Sequence, residues 1–174
     1  MAGRLLISDA NIIIDMNTGG LLRLMFRFDA TFAVPDVLFE EELRADHPEL
    51  PRLGLKLLEL REDTVGYASR LIDKYRSLGA SIQDLLALAL AWQEKCPLLT
   101  GDGRLRTAGE TEGINVHGTL WLMEQMVNAR TITVRQAEAG YAKMREAGRR
   151  LPWDDVEQQL RALKSIGRPG DLRS

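Results

Sequence analysis

The sequence predicts an α/β protein, a three-layer α/β/α sandwich with a central parallel sheet of about five strands and extra helices towards its C-terminal end. Two observations predict it. Short apolar runs alternate with longer amphipathic runs as far as Gly118, after which every run reads as helical; such alternation builds a parallel sheet covered by helices on both faces. The chain has 174 residues at 45% hydrophobic content, enough to bury one sizeable core and too short for two ordinary domains. The expected organisation is a core domain over residues 1–130, a helical extension over 131–166 packed on the same domain, and a flexible tail of Gly, Pro and charge over 167–174.

Leu5-Leu6-Ile7-Ser8 reads as a buried strand, and Asn11 to Phe28 as mostly helix broken at Gly19-Gly20. Thr31 to Val34 is a second strand ended by Pro35, which also suits the first turn of a helix from Asp36 to Ala45. Lys56 to Leu60 is a third strand and Thr64 to Ser77 a helix that stops near Gly79. Ser81 to Lys95 carries the strongest helical signature: Ser81 as N-cap, Asp84 three residues on, and Leu85, Leu88, Ala89 and Trp92 on one face. Pro97 to Thr100 and Ile114 to Val116 complete the strands, with a helix around Arg104 to Glu112 between them. Helices then follow over Thr119 to Asn128, Val134 to Glu146 and Pro152 to Ile166.

Composition narrows the chemistry. No apolar run approaches the ~20 residues that span a bilayer, and Asp9 interrupts the N-terminal run before a signal-peptide core forms. A cytoplasmic location is the expectation. Cys96 is the single cysteine, and His47 and His117 lie far apart, which argues against a zinc site on the usual ligands. The net charge of −2 argues mildly against nucleic acid, but it is unevenly placed. Residues 1–103 hold 11 Lys+Arg against 16 Asp+Glu (−5), and residues 104–174 hold 12 against 9 (+3). An acidic half and a basic half suit metal binding and phosphate contact respectively, and equally suit ordinary surface variation.

In parallel sheets chemistry collects outside the carboxyl ends of the strands. Asp9 follows the first strand directly, and Asp102 follows the fourth in Thr100-Gly101-Asp102-Gly103. Each fits a helix cap or turn as well as a ligand, and Asp84 fits the capping-box slot behind Ser81. Glu40, Glu41 and Glu42 read alone as a solvated helix face. As a set, these carboxylates without His or Cys are what hard divalent cations select.

Motif order adds a resemblance. The chain carries Asp9-Ala10-Asn11-Ile12-Ile13-Ile14-Asp15 after its first strand and Pro35-Asp36-Val37-Leu38-Phe39-Glu40-Glu41 after its second. It then carries Ser81-Ile82-Gln83-Asp84-Leu85-Leu86-Ala87-Leu88-Ala89, Thr100-Gly101-Asp102 and Gly113-Ile114-Asn115-Val116-His117-Gly118-Thr119-Leu120. In order and spacing it resembles the PIN-domain superfamily of nucleases, nearest to a bacterial PIN-like subgroup related to VapC-type toxins. The resemblance implies a Mg²⁺- or Mn²⁺-dependent endoribonuclease with Asp9, Glu41, Asp84 and Asp102 as metal-binding and catalytic acids. Glu42 and Glu40 are alternative registers for Glu41. Asn11 and Thr100 would orient the carboxylates, and Arg104 and Arg106 are candidate phosphate contacts.

The implied partners are an RNA substrate, a small antitoxin protein and a second copy of the chain, with no membrane. The stripe Leu120, Leu122, Met123, Met126 and Val127 is either a partner surface or the chain's own packing. The competing expectation is a catalytically weak or inactive PIN-like module that works by protein binding. An acid-pocket phosphatase fits less well, because Asn11 stands where it needs a second acid, and a receiver domain lacks its lysine.

Overall fold

The structure, a computed structural model, describes residues 3–166, and the tail expected at 167–174 lies outside the described residues. In chain order the elements are β1 (Arg4–Ser8), α1 (Ala10–Thr18), α2 (Leu22–Met25), β2 (Ala30–Pro35) and α3 (Asp36–Leu38), which runs into a π-helical turn at Phe39–Leu43. Then come α4 (Leu50–Leu53), β3 (Lys56–Leu58), α5 (Glu62–Tyr75) with a 3-10 turn at Arg76–Leu78, α6 (Ile82–Glu94), β4 (Leu98–Leu99) and α7 (Gly103–Thr111). The last elements are β5 (Val116–His117), α8 (Thr119–Asn128), α9 (Val134–Glu146) and α10 (Trp153–Ile166). No helix among the described residues is long and apolar enough to cross a membrane.

The five strands make one sheet in the order β3-β2-β1-β4-β5, every pair parallel. The α/β sandwich expected from the alternation is therefore the fold. From β1 the chain steps outwards through β2 to β3, then returns to the other side of β1 for β4 and β5. Strand order thus reverses between β1 and β4, the topological switch point at which such sheets hold their ligands.

Chain contacts divide the molecule into two units, with the boundary inside α1 after Ile14. The first takes the residues up to Ile14 together with Asp29–Gly118 and contains the whole sheet. Its core is aliphatic: Leu6, Ile7, Ala33, Val34, Leu85, Leu88, Leu98 and Leu99 are completely buried. α6 is buried on more than one face, with Ala87, Ala89, Leu90 and Ala91 also at zero exposure. A helix apolar all round is a core helix.

That environment corrects one expectation. Trp92 does not join Leu85, Leu88 and Ala89 in the core; it is 40% exposed and stacks on Tyr67 with ring centroids 4.3 Å apart. Gln93 is buried instead, its Oε1 accepting from Arg61 N–H at 2.7 Å and its Nε2 donating to the Glu59 carbonyl at 3.2 Å. Three boundaries also differ: β3 stops at Leu58, β5 begins at Val116, and the helix after Pro35 is α-helical for only three residues.

The second unit takes Asp15–Phe28 and the residues from Thr119 onwards. Within it Leu122, Met123 and Met126 are fully buried, so much of the apolar stripe of α8 serves the chain's own packing. Gly19 meets α9 at Gly140, where a Cβ on Gly140 would lie 2.7 Å from Leu21 Cδ1 and 3.3 Å from the Gly19 carbonyl. Tyr141 donates to Gln159 Oε1 at 2.6 Å, and Gln159 Nε2 donates to the Leu120 carbonyl at 2.7 Å, joining α9, α10 and α8.

Asp15 is a buried acid of this unit. Arg149 Nε donates to its Oδ1 at 2.6 Å and Thr119 Oγ1 to its Oδ2 at 2.8 Å. Removing one partner of a buried ion pair strands the other. Asp15→Ala should therefore cost about 3 kcal/mol in urea unfolding; a loss below about 0.5 kcal/mol, the size of an ordinary surface change, would show that the pair is not structural.

Candidate active site

β1 and β4 lie side by side, Ser8 opposite Leu99, and the Asp9 N–H donates to the Leu99 carbonyl at 3.0 Å. This pairing brings the residues after the two strands together at the switch point. Asp9 is fully buried. Its Oδ1 accepts from the Ile12 N–H at 3.0 Å, capping the first turn of α1, and its Oδ2 accepts from the Thr100 hydroxyl at 2.5 Å. The same hydroxyl oxygen accepts from the Asp102 N–H at 3.0 Å. Thr100, buried at the end of β4, thus links the first and last expected acids.

Asp102 is the N-cap of α7, its Oδ1 accepting from the N–H groups of Arg104 at 2.8 Å and Leu105 at 3.0 Å. Ser81 is the N-cap of α6 and accepts from the Asp84 N–H at 3.0 Å. Burial raises the carboxyl pKa of Asp84 above its ordinary value, and the negative charge of Asp102 pushes it further, against lowering hydrogen bonds from Ser81. Asp84 therefore feels the charge of Asp102. Asp9 and Asp102 cap their helices, as the sequence allowed; at α6 the cap is Ser81, and Asp84 lies on the first turn, where its carboxyl meets the charge of Asp102.

The glutamates sit on the π-helical turn. Its wider closure, with the Arg44 N–H reaching the Phe39 carbonyl at 2.8 Å, packs successive side chains at a smaller angular step than the ~100° of an α-helix. Phe39 and Leu43 are buried at its two ends. Glu40 forms an exposed ion pair with Arg44 at 2.6 Å. Glu41 accepts a hydrogen bond from Gln83 of α6. Glu42 is the glutamate that feels Asp84: partial loss of hydration raises its pKa first, then the charges of Asp84 and Glu41, although the residue as a whole is exposed. Neither Gln83 nor the π turn stood out in the sequence. The three-glutamate run was the visible signal, and the register along it was not.

Asn11 is exposed on the first turn of α1. Arg104 reaches back to the Gly79 carbonyl at 3.1 Å, and Arg106 Nη1 donates to the Val116 carbonyl at 3.4 Å. Both arginines lie on the first turn of α7, next to Asp102.

The donor set suits a hard divalent cation in its chemistry. It is all oxygen, and the influence of Asp102 on Asp84, and of Asp84 and Glu41 on Glu42, is repulsion that a cation relieves. The positions are less converged than the chemistry. Among the described residues no group of three or more His, Cys, Asp or Glu is close enough to hold one ion.

The model of the DUF3368 family, described as a PIN domain, matches residues 5–165. No curated protein matches the chain significantly.

The raised carboxyls set the sign of a pH effect. The folded chain holds protons on Asp84 and Glu42 more tightly than the unfolded chain does, so their ionisation subtracts stability above the raised values. That loss disappears as pH falls below the ordinary 3.8 and 4.5. Metal-free Asp84→Asn should melt above wild type at pH 7, with the advantage gone by about pH 4. Adding Mn²⁺ should raise the melting temperature of wild type more than that of the variant. A variant that melts below wild type at pH 7 without metal would refute the repulsion.

Proposed function

The chain belongs to the PIN-domain family, and from that premise we propose that it is a metal-dependent endoribonuclease whose active site is Asp9, Asp84 and Asp102 with Glu42 and Glu41 at the rim. PIN domains are nuclease folds that generally use divalent metals. The observation that carries the proposal is the Thr100 hydroxyl, which ties Asp9 to the Asp102 backbone at the switch point, beside an Asp84 whose carboxyl is coupled to Asp102.

Each residue has a part. Asp9, Asp84 and Asp102 would hold Mg²⁺ or Mn²⁺, with Glu42 favoured over Glu41 as the fourth acid because its charge is the one coupled to Asp84. When bound, such an ion supplies activation of water and neutralisation of charge building on the phosphate. Thr100 holds one oxygen of Asp9 and so fixes where its carboxylate points. The caps at Ile12, Arg104 and Leu105 lock the Asp9 and Asp102 rotamers against their helices. Arg104 and Arg106 add positive charge where a strand entering the site carries phosphates. Asn11, exposed beside Asp9, is assigned to orienting the site. A toxin role, with a small antitoxin as partner, is part of the proposal and is tested by co-purification with the product of a short neighbouring reading frame.

The second reading, a catalytically silent module that binds protein, is favoured by one observation: no three acids stand close enough to share an ion.

The test is cleavage of a mixed RNA pool with Mn²⁺. Asp9→Asn and Asp102→Asn should abolish cleavage while keeping the fold. Thr100→Val, which leaves every acid in place, should reduce it about 10- to 100-fold, the usual cost of losing a group that orients a metal ligand. Glu42→Gln should lose more activity than Glu41→Gln. No cleavage with any divalent metal, together with no metal-induced rise in melting temperature, would leave the binding module as the function.

A further inference from the structure

Beside the acids is a small cavity of whose lining the proposed reaction uses Arg104 alone. It measures about 190 Å³ and is lined by Tyr75, Leu78, Ala80, Arg104, Thr107 and Ala108. Its walls are chain neighbours of the site on both sides. Ala80 precedes Ser81, the cap that holds the first turn of Asp84, and the Arg104 N–H is bound to Asp102 Oδ1. Arg104 reaches from the start of α7 to the Gly79 carbonyl, so its guanidinium joins the start of α7, behind Asp102, to the turn that leads into α6 and Asp84. Gly79 permits this with its left-handed φ of +94°, and a Cβ there would collide with the guanidinium.

We propose that this slot receives one unpaired guanine base of the RNA strand, adjacent to the phosphate being cut; the inference rests on the ribonuclease reading above. Size comes first. Pockets for drug-sized ligands run to about 300–1,000 Å³, and 190 Å³ is room for a single base. The walls come second, with Leu78, Ala80 and Ala108 offering apolar contact to a flat ring. The guanidinium decides among the bases. Of its five N–H donors, one is committed to Gly79, its hydrogen-bond partner among the described residues. A guanidinium pairs bidentately with the adjacent acceptors O6 and N7 of guanine. Adenine places a donor next to N7, and uracil sets N3–H between its two oxygens; cytosine offers the adjacent pair O2 and N3, but its single ring fills less of the 190 Å³ than guanine does. Unpaired bases are also what proteins read in RNA, because only they expose these edges.

Mapping of cut sites in a mixed, end-labelled RNA pool with Mn²⁺ tests the slot. Guanine should be enriched about tenfold or more at one position fixed relative to the cut, the discrimination expected of a bidentate pair. Arg104→Gln, which removes the fork, and Thr107→Trp, which fills the cavity, should each abolish the enrichment, with circular dichroism showing both variants folded. Cleavage without base preference, or a guanine preference that survives both variants, overturns the slot and leaves the nuclease reading intact. A second arm is independent of cleavage: NMR titration with guanosine and with cytidine. If wild type cuts no RNA but binds guanosine over cytidine, and both variants lose that binding, the slot stands and the nuclease reading falls. No cleavage and no guanosine binding overturns both.

Discussion

The hydroxyl of Thr100 is the smallest group on which the arrangement of the first unit depends. It donates to the Asp9 carboxylate and accepts from the Asp102 backbone, so one oxygen ties the end of β1 to the loop after β4. Backbone pairing of β1 with β4 sets the distance, and the reversal of strand order leaves the gap above them open. Asp9 is fully buried at that point. A buried carboxylate must be satisfied by donors, and Ile12 N–H and Thr100 supply them.

Capping a helix does not bar an aspartate from serving as a ligand. An aspartate at a helix N-terminus satisfies backbone donors and lies in a field that favours its charge. Asp9 at α1 and Asp102 at α7 hold that position, and Asp84 lies on the first turn of α6. For Asp84 the balance is visible. Hydrogen bonds from Ser81 favour the charged form, while burial and Asp102 oppose it, and the net direction is upward. Burial, with repulsion behind it, wins there. On the proposed reading, a cation relieves the part of that cost that Asp102 imposes.

Much of this was legible in the sequence because it is local or periodic. Ser81 with Asp84 is a short-range capping pattern, and the apolar runs at Leu5–Ile7 and Leu98–Leu99 mark strands whatever they pack against. What stayed hidden depends on tertiary context. Trp92 has helical spacing for the core, yet α6 is buried on so many faces that the small alanines and Gln93 take those places and the indole is left half exposed. The π turn at Phe39–Leu43 has no local signature, and without it the register along Glu40, Glu41 and Glu42 could not be read. The partnership of Asp15 with Thr119 and Arg149 spans more than a hundred residues, beyond the reach of any periodicity.

At the centre of the proposed function is one cation taken up by Asp9, Asp84 and Asp102, from the starts of three helices. Crystals grown or soaked with Mn²⁺, with data collected at the manganese absorption edge, test it directly. The account predicts an anomalous peak within ligand distance of Asp9, Asp84 and Asp102, on the side facing Glu42. An occupied manganese site elsewhere on the chain, or no peak in the crevice at saturating Mn²⁺, would contradict it.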